Sequence, residues 1–332
     1  ITDDTLDIKT FMNFISSDEK RFKLKNLLRQ VGEDPSTYPN SLLNSNYLPT
    51  RNISIPVNKE MVLKNGIVAD KDKNEIVDNI TIKISGGALY KNRLLMLDII
   101  ANNNWERPIY FTGGAFGDED YIWMKDYLQL DGMCYKLTPI KTKVNKSNPF
   151  DMGRIDSELM YNQIKSWNWG NSGEKIYHDP ETRKNGITYR GNIARCIEQL
   201  ITEEKYQKAE ELADLTLEKM PVNTFGYYTL LEPYISAYYE IDKKEKARNL
   251  FAETALHYQE KLIFYSNQSI ENQTKYLEEI ITDIERYRSL VDVLIVYNDS
   301  IFAQQETERF NSYLELFRYS TGETDVTAEA DI

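Results

Sequence analysis

The run LITEEKYQKAEELADLTLEKMP, residues 200–221, and the later run YYEIDKKEKARNLF, residues 238–251, decide the fold class. In the first, Leu200 stands nine residues before Ala209, Ala213 four after it, and Pro221 closes the run twelve after it. In the second, Tyr238, Ala247 and Phe251 repeat those offsets. A large apolar residue, a small Ala, a packing residue and a stop at these spacings are the marks of a tetratricopeptide-like helical hairpin. The two Ala are 38 residues apart, and the Trp and Gly of that pattern are missing.

Outward from these hairpins, helical period runs through 187–319. Ile193, Ile197 and Leu200 form one stripe, and Tyr206, Ala209, Ala213, Leu217 and Met220 a second. Leu231, Tyr234, Ile235 and Tyr238 then pair with Ala247, Leu250, Phe251, Thr254 and Tyr258. Two more helices, about 269–297 and 300–319, are a third, elongated pair or a cap. The acidic end, 320–332, has little apolar content and is expected to be disordered.

The first half has a different texture. Residues 4–30 read as helices with Ser17 as a cap between two runs, and 1–39 form an N-terminal helical segment. From 40 to 150 a small mixed α/β domain is expected. Its strands are RNISIPV (51–57), MVLKNGIV (61–68, with Asn65-Gly66 as a hairpin turn), NITIKISGG (79–87), RPIYFTGG (107–114) and CYKLTPI (134–140). Helices are expected at 91–103 and at about 118–130. Residues 151–186, with one helical run at 155–167, connect this domain to the helical domain of 187–319. The fold class is thus α/β plus all-α.

Composition supports a helix-rich chain and excludes several functions. Gly (15) and Pro (10) together fall well short of the roughly 12% that average usage gives. Forty Lys and Arg against 52 Asp and Glu give a net charge of −12, the wrong sign for a partner of nucleic acid or an anionic lipid surface. No apolar run approaches the ~18 residues of a membrane span. The chain opens on Ile1 rather than Met, as expected of a trimmed piece of a longer product. His178 and His257 stand apart with no CxxC near them, so no metal site is expected. Phosphate-loop, dinucleotide and nucleophile-elbow motifs are missing, and no cofactor is expected. Whether Cys134 and Cys196 form a disulfide is left open.

Two aromatic stretches are the candidate binding sites. In NNNWERPIYFTGGAFGDEDYIWMKDYL (102–128), Trp105, Tyr110, Tyr121 and Trp123 would stack a sugar, with Arg107, Asp118 and Asp120 as polar partners. The competing reading turns Ile109 and Phe111 of a strand to the core and makes Asp118, Glu119 and Asp120 a helix cap after the loop of Gly113, Gly114 and Gly117. In SWNWG, Trp167 and Trp169 are either a glycan or partner clamp or an anchor for the connecting segment. The 23 Tyr, many in the helical half, would line a groove or fill helix-packing positions.

With LLMLDIIANNNWERPIYFTGG (94–114), preceded by YLPTRNISIPV (47–57) and followed by YLQLDGMCYKLTPI (127–140), the chain resembles bacterial multi-pass membrane proteins related to protein O-mannosyltransferases. The resemblance covers roughly residues 1–260. In that family a transmembrane block carries the glycosyltransferase-like region and a soluble C-terminal part carries the W-x-RPIYF segment and tetratricopeptide-like helices. The likeness implies a periplasmic, extracytoplasmic location and a partner in the chain's own N-terminal transmembrane region. No catalytic residue carries over, because the membrane block is not in this chain.

Three functions follow as expectations. The first is a non-catalytic accessory region that binds acceptor protein, glycan or a partner subunit for the membrane-embedded transferase. The second is a self-contained carbohydrate-active enzyme with a deep pocket near Arg107. The third is a pure protein-interaction scaffold, with a groove on the helical half and no pocket in the first.

Overall fold

A computed structural model describes residues 3–86, 88–112, 122–142, 152–226 and 228–317. The chain divides into two compact units, residues 1–156 and 157–332.

The first unit opens with a short strand rather than a helix, β1 (Leu6–Asp7), which runs parallel to β2 (Asn52–Pro56). The Asp7 carboxylate then accepts from the N–H groups of Lys9 and Thr10 and starts α1 (Ile8–Ser16), which buries Ile8 and Phe11. Ser17 ends α1, and its hydroxyl accepts from the Glu19 N–H. A 3₁₀ turn intervenes before α2 (Leu24–Gln30), followed by α3 (Asn40–Leu43).

The start of the run 61–68, expected as strand, belongs instead to α4 (Lys59–Lys64), and the Asn65-Gly66 pair is its end rather than a hairpin turn. Asn58 caps the start by accepting from the Met61 N–H. At the end Gly66 takes φ +63°, its N–H reaching Leu63 O and that of Ile67 reaching Val62 O, a Schellman turn sealed by buried Val62 and Ile67. Asn-Gly serves left-handed backbone in either context, so the dipeptide does not choose between them.

β3 (Asn79–Lys83) pairs antiparallel with β2, setting Ile53 opposite Ile82 and Ile55 opposite Ile80, all four buried on one face. α5 (Lys91–Asn103) buries Leu97, Ile100 and Ala101, packs against α1, and stops where Asn104 and Trp105 both take positive φ. A second sheet has the order β4-β6-β5-β7, from β4 (Tyr110–Phe111), β5 (Leu128–Asp131), β6 (Cys134–Leu137) and β7 (Arg154–Ile155). The helix expected at 118–130 is absent from its described part. Residues 122–127 form a 3₁₀ turn and 128–131 are strand, because β6 supplies an antiparallel partner through a two-residue turn with Gly132 at φ +63°. Residues 113–121, with Asp118 and Tyr121, lie outside the described residues, as does 320–332.

The second unit is helical: α6 (Ser157–Ser166), α7 (Pro180–Thr202), α8 (Tyr206–Lys219), α9 (Val222–Phe225), α10 (Glu232–Glu240), α11 (Lys244–Ser266), α12 (Ile270–Lys275), α13 (Leu277–Val296) and α14 (Ser300–Glu315). The end of the expected connecting segment is already helix. Asp179 caps α7 through the N–H groups of Glu181 and Thr182, and Pro180 fills the first position. Gly186 is tolerated inside because a Cβ there would meet the Phe225 ring at 3.2 Å.

α7/α8, α10/α11 and α13/α14 form antiparallel hairpins with one shared turn, compatible with tetratricopeptide-like packing. Each first helix ends with a residue at positive φ, Glu204, Asp242 or Asn298, in the same pair of Schellman hydrogen bonds. Superposing the turns aligns Leu200, Tyr238 and Leu294, then Ala209, Ala247 and Ala303, all buried. The last two helices are therefore a third hairpin in the register of the other two.

The tyrosines mortar these hairpins together. Tyr234, Tyr238, Tyr239, Tyr258 and Tyr265 are buried, and the first three donate to Arg190 O, Asp214 Oδ1 and Asp299 Oδ2. Arg248 also grips Asp299 with two nitrogens, at 2.8 and 2.7 Å. Those bonds hold the Asp299 carboxyl below its ordinary value, outweighing burial, and Tyr239 adds to the effect. A depressed carboxyl contributes stability that is complete above about pH 3.9 and lost as pH falls through the lowered value. Asp299→Asn is expected to flatten the fall in urea midpoint below about pH 4; an unchanged slope would show the pair to be inert.

Candidate functional site

The structure distributes the candidate residues of the first unit over three places. Trp105 is 6% exposed, its indole N–H donates to Pro56 O at 2.9 Å, and its own carbonyl accepts from Asn65 Nδ2. Arg107 is exposed and shares with Trp105 a recess of about 10 Å³, also lined by Ile55, Ile100 and Leu137. That is space for a single water. Trp123 donates to Ser85 Oγ at 2.9 Å and lies under the Arg93 guanidinium.

Tyr110 belongs to a third place that residue spacing did not reveal. The register of the second sheet puts Tyr110, Lys136, Gln129 and Arg154 in one row across four strands, with Asp131 on the same face two residues beyond Gln129. Within this polar group Lys136, Gln129 and Asp131 are buried, while Tyr110 is exposed at the edge. Lys136 Nζ meets Asp131 Oδ2 at 3.0 Å, Gln129 Nε2 donates to Asp131 Oδ1 at 2.7 Å, and the Tyr110 hydroxyl donates to Asp131 Oδ2 at 3.4 Å. Burial, with the Asp131 charge, raises the Tyr110 pKa. Arg154 turns to Asp72 at 2.8 Å. The opposite face carries Leu128, Leu130, Tyr135 and Leu137. The polar row is a closed network in which each charge has its partner.

In the second unit Trp167 and Trp169 contact each other, with ring centroids 5.4 Å apart, and both pack on Tyr189 of α7. The two rings are half-buried against the helix they precede. Tyr227, another candidate groove residue, lies outside the described residues. Cys134 and Cys196 are not joined to each other.

A recess with room for a ligand in this unit runs across the first helices of the hairpins. Glu198 and Ile201 of α7, Glu232, Ser236 and Glu240 of α10, and Tyr297 after α13 line a groove of about 290 Å³. Three carboxylates face it, and no Lys or Arg is among its described lining residues. Tyr297 stacks on Tyr239 at 5.2 Å and donates to Glu240 Oε1 at 2.7 Å; burial and that carboxylate push its pKa up to about 12. Ser289 donates to Glu232 Oε2 at 3.1 Å. The groove is therefore a preorganised, negatively charged trough whose rim is held by hydroxyls.

Among the described residues no group of three His, Cys, Asp or Glu is placed to hold a metal, and no helix is long and apolar enough to cross a membrane. No curated protein and no solved structure matches the chain. The first unit does match a protein family: residues 1–159, which hold both sheets and the W-x-RPIYF segment, are similar to the family described as TMEM260-associated domain 2.

Proposed function

We propose that this chain is a non-catalytic, partner-binding region of a membrane-embedded glycosyltransferase-like protein. On this reading it stands at the extracytoplasmic face, and its helical unit holds a basic segment of an acceptor protein or partner subunit. The observation that carries the reading is the groove across α7, α10 and Tyr297, lined by Glu198, Glu232 and Glu240. Matching opposite charge gives an interface its specificity and speeds encounter. Hairpin arrays use shared surfaces of this kind to hold extended partners. The match of residues 1–159 to a TMEM260-associated domain fits the resemblance to O-mannosyltransferase-related membrane proteins. The recess beside Arg107 lined by described residues is about 10 Å³, and residues 113–121 of the carbohydrate-site reading lie outside them.

The test is fluorescence anisotropy of a labelled Lys-rich peptide titrated with the whole chain. Saturable binding is expected, weakened at least about tenfold by Glu198→Lys with Glu240→Lys and further by salt. Binding indifferent to both changes, or turnover of a glycoside by the purified chain, would sink the reading. Protease shaving of intact and permeabilised cells tests the location: cleavage only after permeabilisation of the inner membrane would contradict it.

A further inference from the structure

A larger groove, about 580 Å³, opens in the first unit between the end of α1, α2, α3 and the start of α5. Its walls are apolar: Ile15, Leu24, Leu27, Leu42, Leu89 and Leu94 all line it. That volume falls within the roughly 300–1,000 Å³ of small-ligand sites, which are mostly apolar with a few placed polar groups.

The polar groups here have a definite character. Two bases, Lys23 and Arg51, line the groove against one acid, Asp18, in a chain whose net charge is −12. Neither base has a carboxylate partner among the described residues. Asn46 supplies a third group. Its Nδ2 donates to the carbonyls of Phe14, Ile15 and Ser17 at 3.2, 2.7 and 2.8 Å, closing the end of α1. Three carbonyl partners require the amide nitrogen on that side, so the amide has only one reasonable orientation. Its Oδ1 is then buried with no hydrogen-bond partner among the described residues. Lys23 and Asn46 face each other across an isolated antiparallel bridge, so a cation and an unmet acceptor adjoin at one edge of a leucine-lined trough.

We propose that this groove binds a single-chain anionic amphiphile, its acyl chain along the leucines and its charged head at Lys23 and Arg51. The bases meet the negative charge, and Asn46 holds the end of α1 beside them. The site is independent of the acidic groove in the second unit, and either can fail without the other.

The test is calorimetric titration of the whole chain with lysophosphatidylglycerol below its micelle concentration. One saturable site is expected. Lys23→Glu with Arg51→Glu is expected to weaken it at least about tenfold, and a neutral maltoside of similar chain length to bind about tenfold more weakly. Leu27→Asp should abolish binding of both amphiphiles. Should the charge-reversed protein lose its circular dichroism spectrum, Lys23→Gln with Arg51→Gln carries the same test, with weakening of at least about threefold. Absence of saturable heat, equal affinity for the neutral amphiphile, or unchanged affinity in the charge variants would each overturn the proposal. So would displacement of nothing but an acidic, apolar peptide, which would make the groove a protein contact.

Discussion

Asp131→Leu is expected to destabilise the chain by about 3–5 kcal/mol, while the double variant Asp131→Leu with Lys136→Met recovers most of that loss. The side chains of Lys136 and Asp131 are 7% and 3% exposed, 3.0 Å apart on neighbouring strands. Removing the carboxylate strands an ammonium group in the sheet and also leaves Gln129 and Tyr110 without their shared acceptor. Removing both charges in favour of apolar side chains takes away the desolvation cost together with the attraction. Urea unfolding followed by near-ultraviolet circular dichroism reads both variants. Equal losses in the single and double variants would mean that the row is held by more than this pair.

The second large effect lies in the helical unit. Arg190 has no exposed surface; its guanidinium donates to Gly226 O and, at 2.7 Å, to Met220 O, and its own carbonyl accepts from the Tyr234 hydroxyl. It thereby ties the link between the first two hairpins, where Gly226 takes φ +66°, to the middle of α7. Desolvation lowers the Arg190 pKa. Arg190→Ala leaves a cavity, the buried Met220 carbonyl unmet and the part-buried Gly226 carbonyl without its donor, with an expected loss of about 3–5 kcal/mol. Arg190→Met keeps the volume and should lose less. The measurement is the far-ultraviolet urea midpoint of the whole chain, and a loss below about 1 kcal/mol for the alanine variant would contradict the assigned role.

Much of the fold was legible because its determinants are local. α5 spans Lys91–Asn103, the range its pattern predicted, and the apolar stripes of α7, α8, α10 and α11 dictate which faces meet. The misreadings arose where strand pairing or backbone conformation decides and residue type does not. Residues 128–131 have the apolar content of a helix and become strand because β6 and β7 flank them. The third hairpin escaped its register because Glu204, Asp242 and Asn298 share a backbone conformation without sharing a side chain. The polar row and both grooves carry no spacing signal at all, since Tyr110 meets Asp131 only through strand pairing and Tyr297 meets Glu240 only through helix packing. Trp105, the most conspicuous aromatic residue, is a core side chain that ends a helix.

The common turn of the three hairpins also bears on how such an array changes over time. Each turn satisfies its own last carbonyls, so no hairpin borrows a hydrogen bond from the next to finish its first helix. The intervals between turns are free to differ, and they do: Asp242 follows Glu204 by 38 residues, while α12 and a longer α11 occupy the wider interval before Asn298. Length accumulates between the punctuation marks and leaves the marks unaltered. What the three hairpins have in common is thus written in backbone geometry rather than in residue identity.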